Sequence, residues 1–319
     1  MTDPTRHTIL SLDERIARHT HDGIRALEEQ LARDAPFLAI KARDWMSARA
    51  GGRELPTYFL DPKAFPLVRL THWFAAAAHL PSDDVFEAAV VRSNLCGAYY
   101  VRLVDNVMDD DRPRERVLLP LLHVLHLGFT QPYTELFPPS HPFWRDFERI
   151  WARMAEVTLL DALCEDFDRS RFEAISAVKS VAAEIPVTAA AYHYERTGQL
   201  SAWLSLVEVL GRFYQMLNDV RDWCGDRVAD APTWLNSEAR RRSGSSLRDM
   251  TAFMHDEGLA WASDVLQGWV TQLTAAARAL GSEPAAAYVT QRWEIFEQDA
   301  AKLRASLGPA VRLLEAFQA

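Results

Sequence analysis

The spacing of apolar residues constrains the fold of this 319-residue chain more than any other feature of its sequence. Between Ile16 and Leu31 apolar residues recur among charged ones with a helical period, and Phe65–Leu80 is nearly all apolar, which predicts a buried helix. A longer helix is predicted over Asp83–Met108, and the alternating pattern typical of β-strands is absent. The sequence therefore predicts an all-α fold with a single domain, residues 1–319, in which residues 1–12 are flexible.

Proline and polar residues set the boundaries predicted for the later elements. A short helix is predicted over Leu118–Leu127, and a loop is predicted to follow it at Pro132. The stretch Ala174–Glu195 predicts a helix in which Pro186 marks either a kink or a boundary between two short helices. The polar segment Gly225–Ser246 is rich in turn-forming residues and is predicted to be a loop or a lid.

Charge and cysteine content argue against several classes of protein. The net charge is −9 and the arginines are scattered or lie beside acids, so no nucleic acid partner is expected. The cysteines Cys96, Cys164 and Cys224 form no pair with zinc-ligand spacing, which predicts reduced thiols and a cytoplasmic location. His72 and His193 are expected to be structural histidines. The N-terminal residues contain no apolar h-region and the sequence has no run of eighteen apolar residues, so stable membrane insertion is not expected.

Two acidic clusters close apolar helical stretches at distant points of the chain. Residues four apart share one face of a helix, which places Asp105 beside Asp109. The same spacing aligns Asn218, Asp222 and Asp226. Like charges at this spacing repel one another, and acids near the C-terminal end of a helix also oppose its dipole. Because oxygen ligands of this kind suit Mg²⁺, the clusters predict two sets of magnesium ligands.

Other charged residues near these clusters have simpler interpretations. Asp219 is predicted to lie off the acidic face of its helix and to pair with Arg212 or Arg221. Tyr288 and Arg292, late in the chain, are interpreted as a surface pair, and the alternative is that they close the site formed by the acidic clusters.

Three segments together resemble one family. Asp105–Asp109 is similar to the DDxxD motif that ends an apolar helix in that family, and Lys179-Ser180 resembles its diphosphate-binding Lys-Thr pair. The segment Gln215–Asp226 resembles both the FQxxDDxxD motif of prenyl synthases and the ND(L/I/V)x(S/T)xxxE motif of terpene synthases. With these motifs in order on a helical background, most of the chain resembles the class I isoprenoid synthase superfamily, which contains trans-prenyl diphosphate synthases and terpene synthases.

The resemblance implies a helical bundle around a deep central cavity, with the two acidic motifs facing each other across its mouth and holding three Mg²⁺ ions. It implies these metal ligands: Asp105, Asp109, Asn218, Asp222 and Asp226. It implies diphosphate contacts from Lys179, Arg112 and Arg114, and a cavity lined by Tyr99, Tyr192 and Phe213. The catalytic set that follows is Asp105, Asp109, Lys179, Asn218 and Asp222. Lys179 also has a simpler interpretation as a surface lysine, and the three aromatic residues as ordinary core.

Missing basic residues distinguish between the branches of this family. Elongating prenyl synthases bind a second diphosphate through a GGKRxRP segment, but neither Gly51–Pro56 nor Phe65–Arg69 has its consecutive basic residues. The KxTY motif corresponds to Ala231–Trp234, which lacks the lysine. Asn218 favours a cyclase, although Asp222 and Asp226 differ from the usual Ser/Thr and Glu of cyclases.

The function that this comparison of motifs predicts is a terpene synthase, a lyase that ionises a linear C15 or C20 prenyl diphosphate and cyclises the carbocation. The alternatives are a prenyl diphosphate synthase or prenyltransferase that condenses two isoprenoid substrates, and a non-catalytic homologue that binds and regulates a partner synthase. Because dimers are common in the family, a homodimer is an alternative to a monomer.

Overall fold

The computed structural model describes residues 10–108 and 113–316, with side chains at 10–108 and 115–313. Helices account for 83% of the structure, and the described ranges contain no strand. The prediction of an all-α fold is therefore confirmed. The chain divides into two compact units, Met1–Trp144 and Arg145–Ala319, which are described separately below.

The first unit is built around one long apolar helix and the two helices that pack along it. Its helices are α1 (Leu12–Asp34), α2 (Pro36–Arg49), α3 (Leu55–Leu60), α4 (Leu70–Ala77), α5 (Asp84–Met108), a 3-10 segment (Pro113–Leu118) and α6 (Leu121–Leu136). Helix α5 packs against both α1 and α6. Ser11 begins α1 with a capping box, since its hydroxyl accepts from the Glu14 N–H and the Glu14 carboxylate accepts from the Ser11 N–H.

The second unit is built around α10, which packs against α9, α11, α13 and a 3-10 segment. Its elements are α7 (Phe143–Ala162), α8 (Arg169–Ala174), a 3-10 segment (Ser176–Ala183), α9 (Glu184–His193), a second 3-10 segment (Thr197–Gln199), α10 (Leu200–Val228), α11 (Trp234–Ser243), α12 (Leu247–Phe253), a π turn (Met254–Gly258), α13 (Leu259–Ala279) and α14 (Glu283–Ala316). Trp203 and Phe213 on α10 and Leu266 on α13 are fully buried in its core.

The loop predicted at Pro132 is wrong, because α6 continues through this proline to Leu136. Leu125, Phe129 and Tyr133 are spaced four residues apart, and all three are buried. Burial of this apolar stripe offsets the hydrogen bond that a proline removes from a helix interior. The sequence pattern of a helix therefore prevails over the local signal of the proline.

The lid predicted at Gly225–Ser246 is also wrong. Its first residues belong to the last turns of α10, and α11 occupies most of the remainder. The Thr233 hydroxyl accepts a hydrogen bond from the Asn236 N–H at 3.2 Å and caps α11. Trp234 packs against Phe172 with ring centroids 4.8 Å apart. The polar residues suggested a loop because they lie on the exposed face of a helix that is anchored by a few apolar residues.

Pro186 marks a boundary between two short helices rather than a kink in one. The 3-10 segment ends at Ala183 and α9 begins at Glu184, so Pro186 lies in the first turn of α9. An N–H in the first turn has no partner within its helix, and proline is therefore tolerated there. By length and composition, Arg169–His193 meets the criteria of a membrane span, but 72% of its most apolar window is buried inside the protein, which is typical of a core segment.

Candidate functional site

Asp219 is the buried acid of the second acidic cluster. Its side chain on α10 is 3% exposed, and its Oδ1 atom accepts a hydrogen bond from Gln215 Nε2 at 3.2 Å. The Oδ2 atom is also buried and has no hydrogen-bond partner among the described residues. Burial raises the pKa of Asp219 to about 8, and the nearby charge of Asp226 contributes to this increase. An ionised carboxylate at this position would be costly without a cation.

The predicted pairing of Asp219 with Arg212 or Arg221 is wrong. Arg212 pairs with Glu208 at 2.6 Å, and Arg221 pairs with its neighbour Asp222 at 2.6 Å. Helical geometry explains the error. A helix turns about 100° per residue, so Asp219 lies only about 20° from Asp226, whereas Asn218 lies about 80° from it. Asp219 therefore belongs to the same acidic face as Asp226.

The other members of this cluster lie closer to solvent. The Asp222 side chain is 51% exposed, while Asn218 and Asp226 are half-buried. Together with Asp219 these residues form a strip of oxygen ligands on α10, here called the acidic strip, which runs from the exposed Asp222 to the buried Asp219. Such a strip can present oxygen ligands to a cation that approaches from solvent.

Lys179 lies next to this acidic strip and is not a surface lysine. Its Nζ atom donates to Asp161 Oδ2 at 2.8 Å, and the two side chains are only 18% and 16% exposed. The charge of Asp161 raises the pKa of Asp219 and the charge of Lys179 lowers it, so all three groups interact. Sequence reasoning missed Asp161, because the end of a distant helix carries no local signal for the partner of Lys179.

A glycine on α10, Gly211, leaves room for the segment that carries Lys179. A Cβ atom at Gly211 would lie 2.2 Å from Ser180 Oγ and 2.6 Å from the backbone oxygen of Ala177. The second of these contacts involves backbone and cannot be relieved by rotating a side chain. Glycine at this position therefore allows the 3-10 segment that carries Lys179 to pack closely against the acidic helix.

Arg292 is a buried cation that also faces α10, so the predicted surface pair is wrong. The side chains of Arg292 and Tyr288 are 5% and 7% exposed. Burial lowers the pKa of Arg292, and the group that opposes this most is Tyr214 on α10. The Nε and Nη1 atoms of Arg292 are buried and have no hydrogen-bond partner among the described residues. Unsatisfied guanidinium nitrogens of this kind are costly unless they bind an anion.

The first acidic cluster is described only in part. Asp105 lies in the last turn of α5, is 18% exposed and is 3.7 Å from Arg102. Its neighbour Asn106 is buried and donates to Glu115 Oε2 at 2.8 Å. The remaining predicted ligands of this region, Asp109, Arg112 and the Arg114 side chain, lie outside the described residues.

Two of the three predicted cavity aromatics pack in the core of their own unit. Tyr99 contacts Phe59 edge-on with ring centroids 5.3 Å apart, and Phe213 is fully buried. The Tyr192 hydroxyl donates to Asp146 Oδ2 at 2.8 Å. The central cavity, and the part these residues play in lining it, therefore stay predictions.

A groove of about 450 Å³ in the second unit is lined by none of these aromatics. Its charged walls include Arg149, Arg153, Glu184 and Glu208. Glu184 is 7% exposed, and burial raises its pKa despite Arg153 at 4.0 Å. The mixed charges of this groove indicate no ligand class.

In the second unit, α10 thus carries the buried acid Asp219, and the buried Arg292 lies against this helix. The ion pair of Lys179 and Asp161 lies close enough to influence the pKa of Asp219. Comparison of this chain with protein-family models, curated proteins and solved structures gives no match.

Proposed function

We propose that this protein is a magnesium-dependent class I terpene synthase, which ionises a linear C15 or C20 prenyl diphosphate and cyclises the resulting carbocation. In this proposal Asp105 and Asp109 of the first motif bind Mg²⁺. Asn218, Asp222 and Asp226 of the second motif bind it as well.

One observation supports the proposal most strongly: unsatisfied buried groups of both charge signs lie against α10. Asp219 has a carboxylate oxygen without a partner among the described residues, and Arg292 has two such nitrogens. Tyr214 is the residue of α10 that interacts with Arg292. A helix turns about 100° per residue, which puts Asn218 and Asp222 on the part of the α10 surface between Asp219 and Tyr214. A magnesium diphosphate carries both the cation and the anion that these groups lack.

The ligand chemistry of the chain fits Mg²⁺. All the proposed ligands offer oxygen, and Mg²⁺ is commonly held by a few carboxylates together with substrate phosphates. When bound, Mg²⁺ supplies charge stabilisation to the diphosphate oxygens. The unpartnered Oδ2 of Asp219 marks the buried end of the acidic strip, where an additional positive charge would be most stabilising.

The residues around α10 then have distinct roles in ionisation. The carbon–oxygen bond of the substrate breaks, and both electrons leave with the diphosphate oxygen. In this proposal Lys179 and Arg292 stabilise the negative charge that develops there. Attack by a double bond of the same chain on the cation closes the ring and moves the positive charge to another carbon. Loss of a proton from that cation to the released diphosphate gives a hydrocarbon, and capture by water with loss of a proton gives an alcohol. Asp161 holds the Lys179 ammonium in position through their 2.8 Å hydrogen bond.

The direct test is product analysis. The full-length protein is incubated with Mg²⁺ and, separately, the C10, C15 and C20 linear diphosphates, and products are identified by gas chromatography and mass spectrometry. A cyclic hydrocarbon or alcohol from the C15 or C20 substrate is expected. The absence of such products from all three would refute the proposal. A longer diphosphate on addition of isopentenyl diphosphate would instead identify an elongating enzyme.

Matched variants connect the activity with the site. Arg292→Gln and Asn218→Ala are each expected to lower kcat at least about 100-fold, since single groups that stabilise transition-state charge contribute on that scale. Arg278→Gln is the control, because its side chain is 63% exposed on α13. Retention of activity by Arg292→Gln would show that the buried guanidinium does not contact the diphosphate. Calorimetry with Mg²⁺ and pyrophosphate would detect a non-catalytic homologue that binds without turnover.

A further inference from the structure

A second group of metal-ligand side chains lies in the first unit. His19 on α1, His72 on α4 and Glu87 on α5 are 3%, 0% and 0% exposed. One potential ligand atom from each lies within 4.8 Å of the others. Three helices therefore direct a nitrogen, a second nitrogen and a carboxylate oxygen toward one buried point.

Two of the three separations between these atoms are close to those of a tetrahedral metal site. His19 Nδ1 lies 3.1 Å from His72 Nε2, and His72 Nε2 lies 3.5 Å from Glu87 Oε2. Ligands bound tetrahedrally to zinc at about 2.0–2.1 Å are separated from each other by about 3.3 Å. These two edges would need only small adjustments on binding.

The group is poorly satisfied without a further partner. Neither carboxylate oxygen of Glu87 has a hydrogen-bond partner among the described residues. Arg15 Nη1 lies 3.5 Å from Glu87 Oε2, which is longer than a normal charged hydrogen bond. A fully buried carboxylate with this environment is costly.

The outer nitrogen of His19 lies near both a guanidinium and a carboxylate. His19 Nε2 is 3.2 Å from Arg18 Nη2 and 3.5 Å from Asp84 Oδ1, and Arg18 also donates to Asp84 Oδ2 at 2.6 Å. When a metal binds His19 Nδ1, the Nε2 atom carries the proton and donates to Asp84, as the outer nitrogen of a ligating imidazole does in many zinc sites.

We propose that His19, His72 and Glu87 bind one structural Zn²⁺ ion that ties α1, α4 and α5 together. Imidazole ligands favour zinc over magnesium, so this site differs in chemistry from the all-oxygen ligands of the proposed synthase site. It does not depend on the proposed function. A metal-free network of Arg15, Glu87 and the two histidines is the competing explanation, and the experiment distinguishes them.

The experiment uses the full-length protein after removal of metal with a chelator. Zn²⁺ is titrated in competition with a chromogenic chelator, and thermal unfolding is followed with and without the ion. We expect one Zn²⁺ per chain and a rise in Tm of about 5 °C or more at saturating zinc. Bound Co²⁺ in place of zinc should show the visible absorption of a tetrahedral site. A folded protein that takes up no zinc would refute the proposal.

Variants locate the ion. His19→Gln and Glu87→Gln should each abolish stoichiometric zinc binding and the increase in Tm. His21→Gln on the same helix is the control, since this side chain is exposed and should leave both unchanged. Zinc binding by all the variants equal to that of the wild type would place the ion elsewhere and overturn the assignment. If the two site variants do not fold, the titration of the wild-type protein decides the question alone.

Discussion

Replacing Asp219 with asparagine should change how the stability of this protein depends on pH. The wild-type carboxyl group is buried, and its pKa in the folded protein is raised to about 8. In the unfolded chain an aspartate has its ordinary pKa of about 3.9. Between these values the folded state holds a proton that the unfolded state has lost, so stability falls as the pH rises from about 4 to about 8.

The size of the effect follows from the shift. Within this window the free energy of unfolding falls by about 1.4 kcal/mol for each pH unit. The Asp219 carboxyl group therefore lowers the stability of the wild type by about 4 kcal/mol between pH 4 and pH 7. Asparagine does not titrate, and its oxygen can still accept the hydrogen bond from Gln215. The free energy of unfolding of the variant, relative to that of the wild type, should therefore increase by about 2.7 kcal/mol as the pH rises from 5 to 7.

Urea unfolding at pH 5, 6 and 7 measures this difference, in the presence of a chelator so that no metal stabilises the carboxylate. Asp222→Asn is the matched control, because this side chain on the same helix is 51% exposed. It should follow the pH dependence of the wild type. A difference between Asp219→Asn and the wild type that stays constant within about 0.5 kcal/mol from pH 5 to pH 7 would refute the argument.

Two further predictions concern the elements that position the site. Gly211→Ala should destabilise the protein by about 1–3 kcal/mol in urea unfolding and weaken pyrophosphate binding, because the new methyl group would displace the Lys179 segment. Gly225 lies on the same helix, and a Cβ atom added there would contact nothing within 4 Å, so Gly225→Ala should be neutral or stabilise the protein by up to about 1 kcal/mol. An equal loss of stability in both variants would contradict the packing argument. Thr233→Ala should cost about 1 kcal/mol by removing the cap of α11, whereas Thr271→Ala on the exposed face of α13 should have a smaller effect on Tm.

Long apolar patterns were the reliable part of the sequence. The predicted helix Asp83–Met108 agrees closely with α5, because a buried stripe repeated over many turns determines the structure whatever the single residues prefer. The polar segment Gly225–Ser246 gave the opposite result. Trp234 is one of few apolar residues there, and its contribution depends on partners such as Phe172 that are distant in the sequence.

The site residues show the same limit. The spacing rule identified Asp222 and Asp226, but the structure makes Asp219 the buried member, since burial depends on which side of α10 faces the protein. No spacing rule connects His19 with His72, which are 53 residues apart and meet only through the packing of helices. Sequence patterns show which residues share one helix face, whereas they cannot show which faces meet.

The unsatisfied groups around α10 are more informative than the acidic motifs themselves. Acidic residues on a helix surface need no explanation, because water satisfies them at little cost. Asp219 and Arg292 are different, since both are buried and each has atoms without a hydrogen-bond partner among the described residues. Replacing either by an apolar residue of similar size would remove the cost of burying polar atoms that have no hydrogen-bond partner. The presence of both residues therefore lowers the stability of the protein around α10. Buried groups that lower stability in this way are characteristic of functional sites, where a bound ligand satisfies them.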